Sequence, residues 1–183
     1  KLTRLPVQIV ETDRFHALTV AKSAFRCIHL IVRAFSKLNL PLTIFGEGPE
    51  LARLKTMAGP QIKFVGRVDE ATKIELYQHC RGFIHPQVED FGITAVEAMA
   101  AGKPVIAYKQ GGAQETVVHG TTGIHLNVQC WEDIAETVRR FDQYTFSPQA
   151  IREHAEQFSR TQFLERMRTL IDEACISHGL CPS

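Results

Sequence analysis

Short apolar runs of strand length alternate with helical patterns through most of this 183-residue chain. Six runs rich in Val, Ile, Phe and Thr, most of them bounded by Gly or Pro, are typical of strands. They cover residues 16–21, 41–46, 62–66, 82–86, 103–108 and 122–126. The intervening segments have helical periodicity, at 26–38, 49–57, 70–80, 92–101 and 113–118. Strands joined by helical crossovers predict an α/β domain with a parallel sheet of about six strands and helices on both faces.

After residue 126 the strand patterns stop and three helical patterns follow, at 131–141, 148–158 and 161 to about 175. Ser147-Pro148 is typical of a helix N-cap and first-turn proline, and Ser159 with Gln162 matches a capping box. The apolar residues of the last pattern recur at helical spacing, which predicts core packing, with a partner-binding face as the alternative. These residues are Phe163, Met167, Leu170 and Ile171.

The composition is that of an average globular protein of a reducing cytosol. Lys and Arg number 21 against 20 Asp and Glu, so no global charge favours nucleic acid. Five cysteines without a C-x-x-C pair indicate neither a disulfide framework nor a zinc ribbon, and no apolar run is long enough to span a membrane. We expect one domain over 1–183, with an approach segment over about 1–15 and C-terminal helices over 127–183. The start at Lys1 suggests a piece of a longer protein.

The loops after the strands are where an open parallel sheet binds ligands. In the first unusual loop, FGEGPE, Gly46 and Gly48 permit close backbone approach or positive φ, and Pro49 suits a first helical position. Taken alone, this loop is better explained as a tight strand-to-helix turn. In a later loop, KQGGAQE, Gly111-Gly112 again predicts a concavity lined by backbone at a helix start. Together with a third loop, which precedes the helix at 92–101, these loops at successive strand ends favour a nucleotide-shaped ligand.

The remaining unusual loop, VEDFGITAVE, combines a helix start with two carboxylates. The amides near Gly92 would be unpaired first-turn donors at the positive end of the helix dipole, which suits phosphate. Glu89 precedes this turn and Glu97 lies one turn further in, so both can border one crevice. The buried side of the helix is predicted to carry Ile93, Val96 and Ala100. Composition alone does not exclude the alternative, in which Glu89 is an ordinary loop carboxylate and Glu97 an acid favoured by the helix dipole.

The run VEDFGITAVEAMAAGKPVIAYKQGGAQETVVHGTTGIHL resembles the donor-binding signature of the family 4 retaining glycosyltransferases, with Glu89 and Glu97 as its Glu-x7-Glu element. LPLTIFGEGPELARLK, FVGRV and the tail over 141–173 match that family's order and spacing. The resemblance covers essentially the whole chain and is closest to bacterial first mannosyltransferases. It implies the Rossmann-like, donor-binding half of a GT-B enzyme, without the N-terminal acceptor half.

The resemblance also implies roles for particular residues. Glu97 would bind the ribose hydroxyls. Glu89, the candidate catalytic residue, would bind the hydroxyls of the donor sugar near the reacting carbon. The amides of Phe91, Gly92 and Ile93 would bind the pyrophosphate. The implied donor-binding set further contains Asp90, Gly46, Gly48, Val65 and Arg67, with Val65-Gly66-Arg67 near the base.

The family places an Arg and then a Lys after the first strand of this half to neutralise the leaving pyrophosphate. The nearest equivalents here are Lys22 and Arg26, with the two types exchanged. Arg and Lys differ in geometry, so the exchange favours an alternative: a non-catalytic sugar-nucleotide or interaction module, or one subunit of a split enzyme. A nucleotide-sugar epimerase of the same fold is a further alternative.

The implied function is retaining transfer of a sugar, with GDP-mannose the expected donor, to an acceptor hydroxyl in polysaccharide or glycolipid assembly. No cofactor or metal is expected, since the chain has no Asp-x-Asp and its eight histidines have no metal-ligand spacing. The expected partners are the sugar nucleotide, the absent half and a lipid-linked acceptor. We therefore expect a cytoplasmic protein, peripheral at the inner membrane face in its full-length form, that does not transfer sugar as this fragment.

Overall fold

The computed structural model describes residues 17–21 and 27–178, which form a six-stranded parallel sheet with helices on both faces. The strand order is β3-β2-β1-β4-β5-β6. The strands are β1 Ala17–Ala21, β2 Leu42–Gly46, β3 Ile62–Gly66, β4 Gly82–His85, β5 Val105–Tyr108 and β6 Gly123–Leu126. The predicted fold class is confirmed, and each predicted strand lies within two residues of its observed position.

The order of the strands reverses between β1 and β4. The Cα of Ala17 pairs with Leu42 of β2 on one side and with Gly82 of β4 on the other. The chain thus builds outward from β1 in one direction and then, after crossing over, from β4 in the other. In an open parallel sheet, such a reversal opens a crevice at the carboxyl ends of the two strands.

Eight α-helices connect and extend these strands within the described residues. They are α1 Ile28–Leu38, α2 Leu51–Met57, α3 Glu70–His79, α4 Ile93–Ala100, α5 Ala113–Thr116, α6 Trp131–Arg139, α7 Pro148–Glu156 and α8 Arg160–Ser177. Side-chain caps begin several of them: Asp69 accepts from the Thr72 amide at 2.9 Å, and Ser147 accepts from the Ala150 amide at 3.3 Å. Such caps satisfy first-turn donors that have no partner inside the helix.

The sheet separates two apolar cores because successive side chains of a strand point to opposite faces. Ile84 of β4 lies in the core covered by α1 and α6, whereas the adjacent Phe83 lies in the core covered by α3, α4 and α7. Both faces of each central strand are therefore shielded from water, which explains why the sequences of these strands are continuous apolar runs.

Helix α4 buries a different face from the one predicted. Thr94, Ala95, Ala98 and Met99 are buried, whereas Ile93 is 56% exposed and Ala100 is exposed. The predicted buried side is wrong for Ile93 and Ala100, whereas Val96 is half-buried against the core. The physical reason is close packing: the small side chains of Ala95 and Ala98 let the helix approach the sheet, and this turns the bulkier Ile93 outward.

The core packing predicted for α8 is also wrong. No residue of this 18-residue helix is buried, and its apolar side chains are 40% to 60% exposed. These side chains are Phe163, Met167, Leu170 and Ile171. The capping box forms only in part, because the Ser159 hydroxyl accepts from the Gln162 amide while the Gln162 side chain turns to Glu165. The periodicity predicted the helix correctly, but it did not predict that the apolar face of the helix would be exposed.

Among the described helices, none combines the length and the apolar character needed to cross a membrane.

Candidate functional site

The loop after β4 and the start of α4 lie at the carboxyl end of the sheet, on one side of the reversal point. Gly92 is the N-cap of α4 and has a left-handed backbone, with φ 78° and ψ 52°. A Cβ at this position would lie 3.2 Å from Nε2 of His85, whose ring is buried under the turn. Glycine is therefore required here both by its φ and by the close approach of His85.

The first turn of α4 presents amide groups at the positive end of the helix. The Gly92 carbonyl accepts from the amides of Ala95, at 2.9 Å, and Val96, at 3.4 Å. The amides before Ala95 have no acceptor inside the helix, since an α-helix leaves its first-turn donors unpaired. The arrangement suits an anion such as a phosphate oxygen.

Two buried polar atoms flank this turn. The Gln87 Oε1 and Thr94 Oγ1 atoms have no hydrogen-bond partner among the described residues, although both side chains are about 5% exposed or less. A buried polar atom without a partner costs free energy, and functional sites are where such costs are retained. These two atoms have hydrogen-bonding capacity that a bound ligand or water can use.

Glu89 is held loosely beside the same turn. Its Oε1 atom accepts from the Gln87 side-chain amide at 3.5 Å, and its Oε2 atom lies 3.7 Å from Nε2 of His85. The side chain is 22% exposed. A carboxylate with two weak neighbours retains acceptor capacity for hydroxyl groups of a ligand. The neighbouring Asp90 is exposed and Phe91 is 45% exposed, with its ring 5.9 Å from that of Phe158.

Glu97, by contrast, is held firmly by two residues of α3. Lys73 Nζ lies 2.9 Å from Glu97 Oε1 and also 2.9 Å from Glu70. The Tyr77 hydroxyl donates to Glu97 Oε2 at 3.1 Å and lies 3.2 Å from the Thr94 carbonyl. The carboxylate is still 32% exposed, at the groove between α3 and α4.

The charges of this cluster fix the protonation of both partners of Glu97. Burial raises the pKa of Tyr77, and the negative charge of Glu97 raises it further, so the phenol stays a donor. Burial alone would lower the pKa of Lys73, but its hydrogen bonds to Glu97 and Glu70 outweigh burial and raise it. Lys73 therefore remains a cation beside Glu97 at neutral pH.

The glycine pair after β5 packs against the Glu89–Phe91 loop and does not form the predicted concavity lined by backbone. The Gly112 amide donates to the Glu89 carbonyl at 2.8 Å, and a Cβ at Gly112 would lie 2.5 Å from the Asp90 carbonyl oxygen. A Cβ at Gly111 would collide with the Glu89 carbonyl. The predicted concavity is thus filled by the Glu89–Phe91 backbone, and the glycines allow that close packing.

The remaining predicted residues lie at the ends of other strands. Gly46 ends β2 with φ 97°, and the Gly48 carbonyl accepts from the Leu51 amide at 3.1 Å in the turn before α2. At the end of β3, Val65 packs partly into the core and Arg67 is exposed. Lys22 and Arg26 lie outside the described residues.

Sequence reasoning missed three side chains that the fold brings to the predicted pair of glutamates. Lys73 and Tyr77 contact Glu97, and His85 lies beside Glu89. A signal for the first two was present, since they are four residues apart on α3 and thus share one helix face. In the described part of the chain, no group of three or more His, Cys, Asp or Glu side chains could hold a metal ion.

Comparison with known proteins gives one family and many similar structures. The family described as "Glycosyl transferases group 1" matches residues 18–158. The D-rhamnosyltransferase WbpZ of Pseudomonas aeruginosa is 30% identical over 119 residues, which cover 61% of this chain and 31% of that protein. A GDP-mannose-dependent alpha-mannosyltransferase of Mycolicibacterium smegmatis is 37% identical over 95 residues, covering 51% of this chain and 25% of that protein.

Among solved structures, Anabaena HepE in complex with UDP and glucose has a TM-score of 0.76 at 20% identity, and it covers 87% of this chain and 48% of its own. The chain therefore spans about half of that structure and about a third or less of the two relatives above. The fold is that of one Rossmann-like half of a GT-B protein. Because the family match extends over most of its length, the chain belongs to the glycosyl transferases group 1 family.

Proposed function

We propose that this domain binds a sugar nucleotide, with GDP-mannose as the donor, for retaining transfer of the sugar to an acceptor hydroxyl. The observation that carries the proposal is the unit formed by the Glu89–Gly92 loop and α4. This unit has a positive helix end beside the reversal point of the sheet, with Glu89 before the helix and Glu97 in its second turn. Such a unit can bind hydroxyl groups and phosphate side by side.

Each part of the donor has a chemical counterpart in the site. The amides of Phe91, Gly92 and Ile93 would bind the diphosphate without adding a charged side chain. Glu97 would accept from the ribose hydroxyls, and Glu89 from the sugar hydroxyls beside the reacting carbon. Gly46 and Gly48 would border the nucleotide, with Val65 and Arg67 near the base. Lys22 and Arg26 would offset the charge of the diphosphate.

The chemical step breaks the bond between the anomeric carbon and the diphosphate and forms one to the acceptor oxygen. The departing diphosphate takes the proton of the acceptor hydroxyl, while the amides at the α4 terminus stabilise its charge. Glu89 acts by orienting the sugar at the reacting carbon. No metal or other cofactor has a role in this proposal.

Support for mannose comes from the relative named a GDP-mannose-dependent alpha-mannosyltransferase, although HepE was solved with UDP and glucose. The exposed apolar face of α8 supports a further half that covers it in the full-length protein. We place the acceptor site in that half. The acceptor would be a lipid-linked sugar at the cytoplasmic face of the membrane.

The donor site is tested by titrating GDP, UDP and GDP-mannose into the domain by calorimetry. We expect saturable binding with GDP preferred, and a loss of about tenfold or more for Glu97→Ala, as for other hydrogen bonds to charged groups. Glu75→Ala is the matched control, since Glu75 is an exposed acid on α3 and its substitution should leave binding unchanged. Absence of saturable binding, or equal binding by Glu97→Ala, would refute the donor site.

The exchange of Lys22 and Arg26 favours a second candidate, a module that binds sugar nucleotide without catalysis. The two candidates differ in transfer activity, not in binding. Transfer of radiolabelled mannose from GDP-mannose should be measured with the product of the complete reading frame that contains this chain. Binding without transfer or donor hydrolysis would support the module.

A further inference from the structure

The cluster of Lys73 and Tyr77 around Glu97 has a geometry that deepens the proposed function and rests on it. We propose that Lys73 and Tyr77 are positioning residues, which hold the Glu97 carboxylate so that its two free acceptor sites face the vicinal hydroxyls of a ribose. They would act through Glu97 and would not touch the nucleotide's reacting atoms.

Lys73 and Tyr77 each contact a different oxygen of the Glu97 carboxylate. Lys73 donates to Oε1 at 2.9 Å and Tyr77 donates to Oε2 at 3.1 Å, so each oxygen is anchored once from the α3 side. An ionised carboxylate has about four acceptor sites, so about one site on each oxygen remains. Two remaining sites on neighbouring oxygens match a pair of vicinal hydroxyls. A Glu side chain free to rotate would lose side-chain entropy on binding that this anchored one has already lost.

Tyr77 is a rigid donor. Its side chain is 2% exposed, and its ring packs edge-on against Phe45 at 5.9 Å and Phe83 at 5.5 Å. The core therefore fixes the hydroxyl at the groove, where its single proton is shared by Glu97 and the Thr94 carbonyl. Since Thr94 belongs to the first turn of α4, the same hydroxyl ties Glu97 to the turn that would bind the phosphates.

Lys73 adds a charge effect to its positioning effect. A diphosphate next to an uncompensated carboxylate would be repelled by it. Lys73 lies between Glu70 and Glu97 and is 20% exposed, so it offsets the Glu97 charge without leaving the groove. The exposed Glu70 holds the ammonium group from its other side. The three side chains together carry one net negative charge, and the exposed position of Glu70 lets solvent and salt screen its share of that charge.

A purely structural role, in which the contacts only join α3 to α4, predicts a different outcome in a ribose-dependent test. GDP and UDP are titrated by calorimetry, each beside its 2′,3′-dideoxy analogue, into the parent domain and Tyr77→Phe. We expect Tyr77→Phe to weaken binding of the ribose forms by roughly fivefold, less than Glu97→Ala because the carboxylate itself remains, and to leave the dideoxy forms unchanged. An equal loss for both forms, or none, would overturn the proposal.

A second set of variants keeps the test independent of folding. Lys73→Arg should retain ribose-dependent binding because it keeps the charge and a donor, whereas Lys73→Met should lose more affinity for GDP than for dideoxy-GDP. In the Glu97→Ala background, Tyr77→Phe should have no further effect on GDP affinity, since the residue acts through Glu97. Additive losses in that double variant would overturn the positioning role. If no nucleotide binds the parent domain, the proposed function itself fails, which is a separate result from nucleotide binding without ribose dependence.

Discussion

Replacing Gly112 with alanine tests whether the glycine pair after β5 supports the Glu89–Gly92 loop. Gly112 has φ −59° and ψ −21°, which alanine adopts without strain. Its Cβ would lie 2.5 Å from the Asp90 carbonyl oxygen and 2.6 Å from the Phe91 Cα, whereas ordinary contact begins at 3.4 Å. Because both neighbours are main-chain atoms, the loop has to retreat by about 1 Å to admit the methyl group.

Both stability and nucleotide binding should respond. Overpacking of this kind costs about 1 to 3 kcal/mol of unfolding free energy. In a chain of this size, that lowers Tm by roughly 2 to 12 °C. The loop carries Glu89 and leads into the first amides of α4, and misplacing such groups by about 1 Å costs up to a hundredfold in function. We therefore expect GDP affinity to fall by about tenfold or more.

Gly120→Ala is the matched control. Gly120 has φ 80° and no atom within 4 Å of a Cβ, so its substitution costs about 1 to 2 kcal/mol through backbone strain alone. Calorimetry with GDP and thermal unfolding should be run on both variants. Exchange of the amide at residue 112, which donates to the Glu89 carbonyl, gives a readout without ligand. The supporting role of Gly112 is refuted if Gly112→Ala binds GDP as tightly as Gly120→Ala does and its residue-112 amide exchanges hydrogen no faster than in the parent domain.

Two further predictions concern the scaffold. Asp69→Ala removes the N-cap of α3 and should lower the unfolding free energy by about 1 kcal/mol in urea titrations, whereas Asp69→Asn should retain most of it; equal losses would contradict a cap role. Burial lowers the pKa of His125, and the nearby His119 and Lys109 add to the effect. As the pH falls below 6.5, the unfolded chain therefore binds a proton at His125 before the folded chain does. The contribution of neutral His125 to the unfolding free energy is complete above pH 6.5 and is lost as the pH falls through the folded pKa. His125→Gln should flatten the pH dependence of unfolding free energy over that interval, and an unchanged slope would contradict it.

Local patterns explain how much of the fold could be predicted. The run IKFVG is a strand over Ile62–Gly66 as predicted, and the helix predicted at Ser147-Pro148 begins at Pro148. Apolar periodicity, first-turn proline and capping hydroxyls act within a few residues, so they can be read without the tertiary structure. The sheet and its parallel connections follow from the order of these elements.

The burial of the helix faces could not be predicted, because it depends on which helix surface packs against which neighbouring element. Helical spacing placed Ile93 on the buried side of α4, but the structure buries the small side chains of Ala95 and Ala98 and leaves Ile93 exposed. In α8, the apolar spacing identifies a face, but only a neighbouring surface can bury it. Amphipathic periodicity thus predicts that a helix has an apolar side, without predicting its partner.

The same distinction separates the two glutamates of the site. Glu89 lies in a loop whose local sequence, with Gly92 and a helix start, already indicates an anion site. The environment of Glu97 comes from Lys73 and Tyr77, which lie 24 and 20 residues away along the chain and reach it only because α3 packs beside α4. A site with two carboxylates is unfavourable for a diphosphate unless nearby positive charge offsets them. For the diphosphate of the proposed donor, the helix end would supply part of that offset locally and Lys73 would add to it through the fold. The sequence motif alone therefore does not describe the electrostatics of this site.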